Sequence, residues 1–189
     1  MAEVIRKLRE EHRNITRLLD ILEHELATFD ATKQPDYDGV VSIADYFTGF
    51  PDRCHHPKED LIFQRLREID PAAAASIGNL EGEHEKIATL ARHFREAVHN
   101  VLREAEIPRS AFDSVVRHFI RDQRDHLQME DEHFFPLALE VFTAEDWAEI
   151  DAKVSSEDDP LFSRKAAQEL ELLRKNIMRW ERENEAEGE

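Results

Sequence analysis

Cysteine occurs once in 189 residues, as Cys54, so neither an intramolecular disulfide nor a cluster of thiolate ligands can form. Glycine is scarce, at five copies, which argues against sandwiches and barrels, because sheets need turn residues every ten or so positions. Cations are in the minority. With 25 Lys and Arg against 42 Asp and Glu, the formal net charge is −17, and the cationic face that nucleic-acid binding requires is missing. No apolar run approaches the ~20 residues of a membrane span, and the charged opening MAEVIRKLREEH does not read as a secretory signal. A cytoplasmic location, with neither nucleic acid nor membrane as partner, is the expectation. What the chain does have is abundant Glu, Leu, Ala and Arg, all good helix formers, and ten histidines.

Hydrophobic periodicity predicts an all-α chain. The first helix runs from about Ala2 to Phe29 on the stripe Ile5, Leu8, Ile15, Leu19, Leu22 and Leu26. The second runs from about Tyr37 to Ile69, bent but not ended by Gly49 and Pro51, and Asp70-Pro71 closes it. The third spans about Pro71 to Glu106; the fourth opens at Pro108, turns Phe112, Val115, Phe119 and Leu137 inward, and ends near Phe142. Short links force antiparallel neighbours, so residues 1–142 are expected to form an up-down-up-down four-helix bundle. Residues 143–189 make a C-terminal helical extension. There Thr143, with Glu145 and Asp146, caps a short helix, and a final helix carries Phe162, Ala166, Leu170, Leu173, Ile177 and Trp180 on one side. That side needs cover, from the bundle or from a second copy in a homodimer.

Each inner stripe is interrupted near its middle by residues that are costly to bury alone. His12 falls between Leu8 and Ile15, and His84 between Leu80 and Ile87. The second helix reads His55, Glu59, Ile62, Leu66, Ile69 at inner spacing, and the fourth places His126 and Glu130 inward. At ~1.5 Å per residue, counting from the helix ends puts all four histidines in one layer. A buried carboxylate costs several kcal/mol unless a cation or metal answers it, and no Lys or Arg is evident on these stripes at that level.

CHHPKEDLIF and DHLQMEDEHFF also echo one another, each setting a His four residues before a Glu and an acid directly after it. Residues i and i+4 share a helix face, so each pair can offer an imidazole and a carboxylate to one point. Four His-x-x-x-acid pairs occur where chance gives roughly two, so the spacing alone is weak, and the weight lies in its repetition at one level. The set His12, His55, Glu59, His84, His126 and Glu130 suits two ions bridged by carboxylates, iron first and manganese or zinc after it. His56, turned about 100° from His55, is expected beside the site or at the surface. His24, His93, His99, His118 and His133 lie off the stripe, whereas Tyr46, Phe47, Phe50 and Phe63 pack the core or the pocket mouth.

At CHHPKEDLIF and HLQMEDEHFFPLALE, and over about residues 4 to 142, the chain resembles the hemerythrin-like (HHE cation-binding) family. The resemblance maps onto His12, His55 with Glu59, His84, and His126 with Glu130. It implies a non-haem di-iron centre that binds or senses dioxygen, nitric oxide or iron, or an enzyme consuming peroxide or nitric oxide. Oxygen-carrying members have a second His one turn further along the third helix, where this chain has Ala88, and their last carboxylate lies one residue further from its His. The first departure makes Glu81 and His56 candidates for the missing ligand, and together they argue against reversible oxygen carriage.

Overall fold

The computed structural model describes residues 2–31, 35–103 and 109–154, together with positions 159, 175, 177 and 178. Free of proline and glycine, Glu3–Asp30 winds into one uninterrupted helix, α1. The second arm begins with α2 (Tyr37–Phe47), whose first turn is capped by the Asp36 carboxylate accepting from the Gly39 amide. It breaks at Thr48-Gly49, passes through a π-turn at Pro51–His55, and continues as α3 (His56–Ile69). The bend expected at Gly49 and Pro51 is therefore an interruption followed by a widened turn.

The third arm differs more from its expectation. It is two helices, α4 (Pro71–Ile77) and α5 (Leu80–Leu102), because Gly78 adopts φ 90° and the Asn79 side chain caps α5 by accepting from the Gly82 amide. Asp70 caps α4 through the Ala72 and Ala73 amides. The fourth arm is α6 (Arg109–Met129), a second π-turn at Glu130–Phe134, and α7 (Phe135–Val141). The ends expected at Glu106 and Pro108 lie outside the described residues.

Helix α2 lies against α5, α5 against α6 and α6 against α1, closing the four arms into an up-down-up-down bundle. Ion pairs fasten the outside, from Arg124 to Asp20 and Glu23 and from Lys86 to Asp122. A further helix, α8 (Ala144–Lys153), starts with the cap expected at Thr143, which Asp146 reciprocates to make a capping box. It is pinned to the bundle by Arg65 to Asp146 and by the Val4 amide to Asp151. Ile177 is buried in the bundle core, whereas Phe162, Ala166, Leu170, Leu173 and Trp180 lie outside the described residues. Among the described residues no helix is long and apolar enough to cross a membrane.

Two apolar clusters fill the bundle. One joins Ile15 to Leu26 of α1 with Phe47, Phe94 and Phe119; the other joins Ile5 and Leu8 with Ile62, Leu66, Leu80 and Phe134. Three inward assignments shift: Val116 rather than Val115 and Ala138 rather than Leu137 are buried, and Ile69 is exposed at the end of α3. Between the clusters lies the polar layer. His12 sits between Leu8 and Ile15, and Glu59 between Phe50 and Ile62, so apolar packing on both sides closes the layer along the bundle axis.

Candidate metal centre

All six residues expected to meet in the layer do so. His12, His55, His84 and His126 are buried, and Glu59 and Glu130 are 0% exposed. Glu59 Oε1 lies 3.2 Å from Nε2 of both His12 and His55, while its Oε2 lies 3.5 Å from Nε2 of His84. Glu130 mirrors it: Oε2 is 3.5 Å from His12 Nε2, and Oε1 is 3.3 and 3.4 Å from the Nε2 atoms of His84 and His126. Each carboxylate thus spans the layer with one oxygen toward each side.

His56 departs from its expected place beside the site. It is buried, its ring stacks on His84 with centroids 4.3 Å apart, and it joins Glu59, His84 and His126 in one group of donors lying within 4.8 Å of one another. His12, His55, Glu59 and Glu130 form the other such group. The π-turn explains how His55 and His56 both reach inward. An i→i+5 turn takes about one more residue than an α-turn, so the angle between successive side chains narrows. Pro57 favours it, because proline has no N–H to give to Arg53 and crowds the preceding turn. The fourth arm repeats the device: Pro136 follows the other π-turn by two residues, and Phe134 and Phe135 are both fully buried.

A ring of acids surrounds the imidazoles. Nδ1 of His55 faces Glu11 at 2.8 Å, His84 faces Asp60 at 2.8 Å, His12 faces Asp131 at 3.1 Å and His56 faces Asp52 at 3.3 Å. A carboxylate on Nδ1 fixes ring orientation and leaves Nε2 as the free donor. Asp60 and Asp131 are the acids that directly follow Glu59 and Glu130 in the sequence echo, but each serves a histidine on a neighbouring arm. Lys58 is also buried, against Glu11, so a cation does lie at this level. It answers the outer acid and is no partner of Glu59.

Glu81, the other candidate for an extra ligand, faces outward to Gln64 and Arg67. His133 is exposed, so the pairs Glu81/His84 and Glu130/His133 that a ferritin-like oxidase would use do not converge. His24, His93 and His118 are exposed and His99 is half-buried, as their positions off the stripe predicted, and Tyr46, Phe47, Phe50, Cys54 and Phe63 are buried.

Protons share the layer unevenly. Burial opposes charge on His12, but Asp131, Glu59 and Glu130 outweigh it and hold the imidazole up at about 10. His84, likewise opposed by burial, is held at about 10 by Asp60, Glu130 and Glu59. Burial drives His126 down to about 4 and His55 well below its ordinary value. Burial and the charge of Glu130 push Glu59 up; burial would raise Glu130 too, but His126, His84 and His12 outweigh it and draw it down.

Among the described residues, Nε2 of His55 and His126 and one oxygen each of Glu59 and Glu130 are buried without a hydrogen bond. Orphaned donors from the second and fourth arms, met by His12 and His84 from the first and third and all nitrogen and oxygen, fit divalent metal ions of the iron, manganese or zinc kind. Comparison with curated proteins and with solved structures gives no match. A family model described as the hemerythrin HHE cation binding domain matches residues 3–138. Because that match spans all four arms and every His and Glu of the layer, the chain belongs to the hemerythrin HHE cation-binding domain family.

Proposed function

We propose that the protein is a non-haem di-iron protein that binds or senses dioxygen, nitric oxide or iron. One ion is held by His12, His55, Glu59 and Glu130, the other by His56, His84, His126 and Glu59. The observation that carries this reading is the shared carboxylate: Glu59 belongs to both donor groups, and its two oxygens face opposite halves of the layer. Imidazole and carboxylate donors suit iron before manganese or zinc. Bound iron would supply open coordination positions and one-electron steps to a small diatomic ligand.

The chain's own part is to hold the donors still and keep the layer dry. Four outer carboxylates orient the imidazoles, and the two apolar clusters limit water along the axis. His56, stacked on His84, brings the imidazole that Ala88 does not, so the case against oxygen carriage built on Ala88 loses its ground. The spacing of Glu130 from His126 remains as a departure.

Iron analysis after iron-replete expression should give about two ions per chain, with charge-transfer absorption that changes on reduction and on adding nitric oxide. Metal-free protein from the same expression would contradict the proposal. Peroxide or nitric oxide consumption that vanishes in His55→Ala would turn the reading toward an enzyme.

A further inference from the structure

The acid that orients His55 lies on α1 one turn from a second buried polar cluster, which brings in a residue from beyond the four arms. Glu11 faces His55 Nδ1 with one oxygen and Lys58 Nζ with the other. One turn further along α1 on the same side, Asn14 donates to Oδ2 of Asp159 at 3.4 Å, and Tyr46 of α2 donates to the same oxygen at 3.0 Å. Glu11, Asn14, Tyr46, Lys58 and Asp159 are each less than 7% exposed. Asp159 comes from beyond the four-helix region, yet its carboxylate lies inside the bundle wall.

We propose that Asp159 is a positioning residue of the metal centre: by tying Asn14 of α1 to Tyr46 of α2 it fixes the gap that Glu11 of α1 spans to reach His55, and hence the ion position formed by His12 and His55. Its carboxylate ties α1 to α2 one turn along α1 from Glu11, which reaches across from α1 to His55 on the same second arm. With the gap between α1 and the second arm fixed, Glu11 keeps His55 Nε2 aimed at the layer. The other position, formed by His56, His84 and His126, has outer acids of its own, Asp52 and Asp60. The effect of Asp159 is therefore confined to one half of the centre. Asp159 thereby becomes part of what sets metal affinity, and occupancy of that half favours its contacts with Asn14 and Tyr46 in return.

This inference rests on the dinuclear reading, and one experiment separates the two. Metal-free full-length protein is titrated with Co(II), following visible absorption and heat. The wild type should bind two ions in two steps. In Asp159→Asn the step belonging to His12 and His55, identified as the one that His12→Ala abolishes, should weaken about three- to tenfold, less than the 10–100-fold typical when an acid bonded directly to a ligating imidazole is lost. The other step should not move. Tyr46→Phe removes one bond to the same carboxylate and should weaken the same step by a smaller factor; it also serves if Asp159→Asn fails to fold. Equal weakening of both steps, or unchanged affinities accompanied only by a lower melting temperature, would overturn the positioning role. A wild type that binds no Co(II) would remove the dinuclear reading and this inference with it.

Discussion

The carboxylate of Asp60 lies 2.8 Å from Nδ1 of His84, on the next arm of the bundle, and so decides which nitrogen of that imidazole faces the centre. Asp131 faces His12 Nδ1 at 3.1 Å as a charge contact, without the geometry of a hydrogen bond. In both cases the residue before the aspartate, Glu59 or Glu130, turns inward. One Glu-Asp step therefore supplies a donor to the layer and an anchor to a neighbouring helix, and this happens twice, on opposite sides.

Asp60→Asn should weaken metal binding about 10- to 100-fold, and Asp131→Asn by a smaller factor. Competition against a chromophoric chelator measures it. Affinity equal to wild type in both variants would show that these acids are surface charges with no hold on the centre.

His56→Ala should cost the His84 side one of its three imidazoles and lower the iron bound per chain, or its affinity by at least about tenfold. His93→Ala, at an exposed position on α5, should change neither. Equal iron content in the two variants would return His56 to a packing role.

The metal-free protein carries a defined pH signature. His12 and His84, raised from 6.5 to about 10, contribute stability that is fully present below about 6.5 and is lost as pH rises through about 10. His126, lowered to about 4, acts in the opposite sense: its contribution is present above 6.5 and lost as pH falls through about 4. Metal must displace the protons on His12 and His84, so the melting-temperature gain on adding metal should grow between pH 6 and pH 9. A gain that shrinks over that range would contradict the assignment of those protons.

Gly78→Ala tests the break between α4 and α5. An added Cβ would meet nothing within 4 Å, so its cost is backbone strain at φ 90°, about 1–3 kcal/mol in urea unfolding. Iron content should stay at the wild-type value, because Gly78 lies outside the donor layer.

His12 and His84 were legible in the sequence because α1 and α5 are regular over the stretch that carries them, and a 3.6-residue period places inner positions correctly there. His56 was not, because the counting that turned it away assumes a regular helix where a π-turn adds a residue. The signal was present, in the proline that follows the paired histidines and again in the one that follows Phe134 and Phe135. Lys58 was not evident at the level of the layer, since nothing local announces that Glu11, 47 positions earlier, would receive it. Asp60 and Asp131 were seen as acids of a repeat, but which imidazole each would meet depends on how the arms pack. The split at Gly78 was missed because the apolar stripe keeps its spacing from Ile77 to Leu80 across the break.

The most direct test of the account is an anaerobic titration of metal-free protein with Fe(II), read by metal analysis after gel filtration and by crystallographic anomalous scattering. Saturation at about two ions per chain, ~3.5–4 Å apart and both touching Glu59, is the predicted result. Saturation at one ion, or iron held at surface acids while His12, His55, His84 and His126 stay free, would contradict it.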